Sequence, residues 1–93
     1  MSVVVRIPTP LRAVTNGEDK ASVEGETLTQ VIDNLESQYT GIRERLCDES
    51  GNLRHFVNIY VNGEDVRFLE GLGTAISSGD EVSIVPAVAG GTQ

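Results

Sequence analysis

The sequence predicts an α+β domain with a single main helix laid across one face of a mixed four- to five-stranded sheet. Three observations predict it: period-two apolar runs at both ends of the chain, one helical apolar stripe between them, and turn signals that separate the runs. At 93 residues and 39% apolar content the chain is the size of one compact unit. The expected boundaries are a domain at 1–87 and a tail at 88–93.

Val3, Val5 and Ile7 alternate with Val4 and Arg6, so one face of the opening strand is apolar until Pro8 and Pro10 stop it. Asn16-Gly17 offers a turn, and Ala21–Glu24 returns antiparallel before Gly25. Thr27-Leu28-Thr29-Gln30 has the spacing of a capping box, in which hydroxyl and amide side chains satisfy backbone donors that the first helical turn leaves unpaired. Leu28, Val31, Ile32 and Leu35 then recur at helical spacing, with Tyr39 one turn further. Gly41 is a candidate left-handed stop, and Ile42 with Leu46 predicts one more short turn.

Phe56–Val61 reads as the central strand because Val57, Ile59 and Val61 share a face. Asn62-Gly63 is a hairpin signal leading into a strand at Val66-Arg67-Phe68. Ser78-Gly79-Asp80 precedes the last strand, Glu81–Val85, and Pro86 is where the chain is expected to leave the sheet. If the first and last strands pair in the middle they run parallel, which is the β-grasp arrangement of ubiquitin.

Function must be sought against a net charge of −7, from 7 basic and 14 acidic residues, which repels phosphate backbones and anionic membranes. We therefore expect no nucleic acid and no membrane among the partners. One cysteine excludes an internal disulfide framework, and the start lacks a signal-length apolar run, so a cytoplasmic location is expected. His55 has no second histidine or cysteine at zinc-ligand spacing and reads as a strand-end side chain. Cys47 reads as a packing residue after Leu46. Asp48-Glu49 and Glu64-Asp65 read as solvated loop charges, and Gly71-Leu72-Gly73-Thr74 lacks the third glycine of a dinucleotide fingerprint. No catalytic set and no cofactor or metal bound by the chain itself are expected.

The remaining feature is Pro86-Ala87-Val88-Ala89-Gly90-Gly91, a run of small residues after the last strand. Its five steps from Pro86 to Gly91 span at most about 17 Å, enough to enter another protein. Two glycines without Cβ let the backbone thread a narrow channel. A functionless glycine-ended terminus has the same composition, so the tail alone does not choose between the two.

Together with the predicted fold, the tail resembles that of the ubiquitin-like sulfur carriers, the family of the thiamin-pathway carrier and the small subunit of molybdopterin synthase. Ile7–Arg12, Phe56–Asn62, Glu64–Phe68 and Pro86–Gly91 are similar to the branch that serves thiocarboxylate-dependent cysteine biosynthesis. The resemblance implies that a ubiquitin-activating-type adenylyltransferase uses ATP and magnesium to adenylate Gly91, and that sulfur then displaces AMP to leave a thiocarboxylate. It also implies transfer of that sulfur to a substrate on a PLP-dependent cysteine synthase, and release of the product by a deubiquitinase-type metalloprotease.

Thr92 and Gln93 depart from that pattern, because they hold the Gly91 carbonyl in an amide. Cleavage between Gly91 and Thr92 is the expected first step, with Pro86, Ala87, Val88, Ala89 and Gly90 threading into the partner. The same fold and tail also suit a protein modifier joined to lysines, a permanent small subunit of a synthase, or an interaction module without sulfur chemistry. Docking is expected on the exposed side of the Val57–Val61 strand and around Pro86 and Val88.

Overall fold

The computed structural model describes residues 2–86. Strands β1 (Ser2–Arg6), β2 (Lys20–Glu24), β3 (Val57–Val61), β4 (Glu64–Asp65) and β5 (Glu81–Pro86) form one sheet in the order β2-β1-β5-β3-β4. Helix α1 (Leu28–Gln38) covers one face, and the short α2 (Ile42–Leu46) follows it. β1 and β5 pair in parallel, with Val4 facing Glu81 and Arg6 facing Ser83, while the other pairings are antiparallel. This is the β-grasp topology, with the N-terminal strand and the last described strand side by side in the middle.

Alternation explains why the sheet has an inside. Val3 and Val5, Ala21 and Val23, Val57, Ile59 and Val61, and Val82 and Ile84 all point toward the helices and are buried. Leu28, Val31, Ile32 and Leu35 meet them from α1, and Ile42 and Leu46 from α2. Fully burying side chains of this size stabilises the fold by roughly 1.5–3 kcal/mol each relative to exposure.

The N-terminus of α1 is capped by Thr27, whose hydroxyl oxygen accepts from the Gln30 backbone N–H at 3.3 Å. Gln30 reaches back as the capping-box spacing predicts, but to the N–H of Glu26 rather than that of Thr27. The helix ends at Gln38, not at Tyr39, which takes an extended conformation as the C-cap. Gly41 is left-handed at φ 102 and opens α2. The β1–β2 connection turns through Asn16 and Gly17, both at positive φ, and buries the Thr15 hydroxyl by donation to the Glu18 carbonyl at 2.8 Å.

One predicted strand is corrected. Val66-Arg67-Phe68 is a 3₁₀ turn, and β4 comprises Glu64 and Asp65 alone. The Asp65 carboxylate accepts from the Arg67 backbone N–H at 2.8 Å and bends the chain out of the ladder. Arg67 then donates through its guanidinium to the Asn58 side chain and, at 2.9 Å, to the Arg54 carbonyl. β5 also runs one residue further than expected, since Pro86 still pairs with Val57.

Candidate functional site

The last described residue, Pro86, closes β5 at the end of the sheet where β1 finishes and β3 begins. Ala87, Val88, Ala89, Gly90, Gly91 and Thr92, predicted as the threading segment and processing site, lie outside the described residues, as does the expected boundary after residue 87. What the structure places is the root from which they continue.

That root borders a groove of ≈ 460 Å³. Pro10 and Leu11 come from the 3₁₀ turn after β1, Phe56 from the turn just before β3, Val57 from the start of β3, and Pro86 from the end of β5. Phe56 is 43% exposed, which is high for a phenyl ring beside a core, and its ring meets that of His55 edge to face at 5.6 Å. Arg45 and Glu44 of α2 and Arg54 form the charged rim. Arg54 is fixed: its Nε donates to the Glu44 carbonyl at 2.9 Å. The Arg45 side chain is exposed and makes no hydrogen bond or ion pair with another described residue.

Beside the root lies the outward face of the sheet. Asn58 and Tyr60 of β3 are half-buried there, next to Val85, which is 44% exposed. Arg6 and Glu81 form an exposed ion pair at 2.9 Å on the neighbouring strands. Phe68, at 88% exposure, stands further along the 3₁₀ turn after β4.

Among the described residues no second site gathers chemistry. Cys47 is buried, and burial pushes its thiol above the ordinary range, so it is a poor nucleophile and a packing residue. The open cavity of ≈ 680 Å³ beside it is lined with charged groups, among them Glu36 and Asp48, which have structural duties. The Glu36 carboxylate accepts from the backbone N–H groups of Gly41 and Arg43, which holds its pKa below the usual range. Asp48 accepts from the Ser50 and Asn52 N–H groups and closes a turn. His55 is exposed, and among the described residues no group of three His, Cys, Asp or Glu side chains could hold a metal ion. Gly71–Gly73 is a 3₁₀ turn whose Leu72 carbonyl accepts from the Thr29 hydroxyl, with no phosphate-binding helix after it. No described helix is long and apolar enough to cross a membrane.

The groove was not foreseen from the sequence. Phe56 carried a signal, as the one aromatic side chain opening the central strand, but Arg45 carried none.

Comparison with known proteins fits this geometry. The chain is 59% identical to the sulfur carrier protein CysO of Mycobacterium tuberculosis, over 98% of this chain and 100% of the relative. The crystal structure of that CysO superposes with a TM-score of 0.88 at 58% identity, covering 92% of this chain and 99% of the other. The BexX/CysO complex of Amycolatopsis orientalis gives 0.90 at 47% identity, covering 94% and 97%. Small archaeal modifier protein 3 of Haloferax volcanii is 43% identical over 70% of each chain. The ThiS family model matches residues 5–91, nearly the whole described domain and the tail through its second glycine. The chain therefore belongs to the ThiS family of ubiquitin-like sulfur carriers.

Proposed function

We propose that this chain carries sulfur as a thiocarboxylate on Gly91, formed after Thr92 and Gln93 are removed, for the synthesis of cysteine or another sulfur metabolite. The observation that carries the reading is full-length similarity to a sulfur carrier combined with a family match that stops on Gly91. A carboxylate is a poor acceptor for a nucleophile, so an adenylyltransferase of the ubiquitin-activating type first joins it to AMP, using ATP and magnesium that the partner binds. Sulfur attack on the acyl carbon expels AMP, and the product carries a strong nucleophile on a movable arm.

The acceptor we assign is a PLP-dependent cysteine synthase or another sulfur-using enzyme, with a deubiquitinase-type metalloprotease trimming the chain. The domain itself supplies presentation rather than catalysis. That fits a domain in which Glu36, Asp48 and Asp65 serve turns and caps and Cys47 serves packing. The BexX/CysO complex supports a partner that binds a carrier of this shape.

The test is incubation of protein trimmed to Gly91 with ATP, magnesium, a sulfide source and a candidate activating enzyme. AMP release and an oxygen-to-sulfur mass change are expected in the trimmed protein and neither in the encoded chain. Absence of adenylation by every such enzyme from the same cell would remove the proposal. The likeness to a small archaeal modifier favours one second reading, attachment of Gly91 to lysines of other proteins. Higher-mass conjugates on an immunoblot from the native cell would select it.

A further inference from the structure

We propose that the end of the domain at Pro86 is a cationic docking face, and that the enzyme receiving the tail surrounds its tail-entry opening with carboxylates. The inference rests on the sulfur-carrier reading and adds the surface chemistry by which the activating partner recognises the chain.

Placement of the cations is the first support. Lys20, Arg45 and Arg67 are exposed, and Arg12 and Arg54 are half-buried. All five stand around the end of β5. Arg12 and Lys20 line a cleft with Val85, and Arg45 and Arg54 line the groove with Pro86. Arg67 donates to the side chain of Asn58, the residue that faces Val85 across the ladder. The sequence holds 7 basic residues, and the other two, Arg6 and Arg43, are ion-paired with Glu81 and Asp33. Every lysine or arginine without an ion-pair partner among the described residues therefore lies at the root of the tail.

Their fixation is the second. The Arg12 Nε donates to the Ile7 carbonyl at 3.2 Å, the Arg54 Nε to the Glu44 carbonyl at 2.9 Å, and Arg67 to the Arg54 carbonyl at 2.9 Å. These acceptors are neutral, so they hold the guanidinium groups in place without cancelling their charge, and an incoming carboxylate meets them already oriented. The carboxylates that line the same two clefts, Asp19 and Glu44, form no ion pair with a described residue.

Distance decides between this local charge and the net charge of −7. Glu26, Glu64 and Asp80 belong to the opposite end of the sheet, where β1 and β5 begin. The six residues of β5 span roughly 17 Å. Charges are screened over about 8 Å at physiological ionic strength, so a surface arriving at Pro86 is attracted by the near cations more than it is repelled by the far carboxylates. Those far carboxylates also turn their own end away from an acidic surface, which presents the tail's root to it. An enzyme that takes the tail must approach this face, because the chain continues from Pro86.

The experiment measures kcat and KM for protein trimmed to Gly91, with ATP, magnesium and the activating enzyme from the same cell, over a range of salt. Arg45→Glu combined with Lys20→Glu should lower kcat/KM at least about ten-fold at low salt, with the loss in KM rather than kcat. Rising salt should reduce kcat/KM for the unsubstituted protein and not for the double variant. Both side chains are exposed, so the fold is retained, and Arg45→Lys with Lys20→Arg should keep the unsubstituted rate. Glu64→Lys at the far end should change kcat/KM by less than about two-fold. An unchanged or raised kcat/KM in the double variant, with AMP still released, overturns the docking face and leaves the carrier reading standing. No AMP from the unsubstituted protein removes that reading, and this inference with it.

Discussion

The two ends of the central strand pair are built differently. At the end where β1 and β5 begin, polar groups knot the loops together. Asp80 accepts from the Asn62 side-chain amide at 3.0 Å and from the Ser77 N–H at 2.8 Å, and Asn62 accepts in turn from the Glu81 N–H. Gly79 donates to the Ser2 carbonyl, and Val4 to that of Asp80. At the opposite end, where β5 reaches Pro86, the surface is an open apolar groove with a half-exposed phenyl ring and an arginine, Arg45, whose side chain has no partner among the described residues. One end closes the fold and the other is left for contact. Such a division lets a carrier change what its tail touches without loosening the sheet that holds the tail.

The comparison is sharpened first by a substitution that should affect both ends alike. Ile59 lies mid-strand in β3 opposite Ile84 and is 1% exposed. Ile59→Ala should cost about 2–5 kcal/mol in urea unfolding, with amide protection lost at both ends together. Equal stability would mean that the core is not shared between them.

Next in size is Gly25→Ala at the knotted end. A Cβ there would stand 2.8 Å from both the Cγ2 and the backbone nitrogen of Val31, so α1 must shift. A loss of about 1–3 kcal/mol is expected from thermal or urea denaturation. Asp80→Ala should cost roughly 1 kcal/mol, the bonds being partly solvent-exposed, with amide protection falling around Ser77 and Glu81 but not around Val57.

Asp80 also sets a pH dependence. Its hydrogen bonds to Asn62 and Ser77 depress its pKa below the ordinary 3.8. Folding is thus favoured by the carboxylate above 3.8, and this contribution is lost as pH falls through the lower, folded-state value. Acid titration of the wild type against Asp80→Ala should converge below that range. The smallest effect belongs to the open end, where Phe56→Ser should change unfolding free energy by no more than about 0.5 kcal/mol. A larger loss would make the ring part of the core and erase the contrast.

Sequence pattern and structure agree where local chemistry decides. Period-two alternation located β1, β3 and β5, helical spacing located Leu28 through Leu35, and Asn62-Gly63 is a turn with φ values of 53 and 88. Val66–Phe68 went the other way because capping by Asp65 and the reach of Arg67 to Asn58 and Arg54 outweigh the strand preference of valine and phenylalanine. Parallel pairing of β1 with β5 was legible only as a condition, since nothing local encodes which distant strands meet. The tail could be singled out by composition, whereas the groove at its root brings together residues 10, 45, 56 and 86, and only folding makes them neighbours.

The central place of β5 also bears on how the molecule is made. During synthesis β1, β2 and both helices leave the ribosome before the strand that must lie between β1 and β3 exists. The sheet closes only when residues 81–86 arrive, and the tail follows directly behind them. A polypeptide interrupted before that point lacks its middle strand, exposes Val3, Val5 and Ile59, and is open to proteolytic clearance. Completion of the sheet thereby certifies that translation has reached the tail's root, so the pool of folded carriers excludes chains cut short upstream of it.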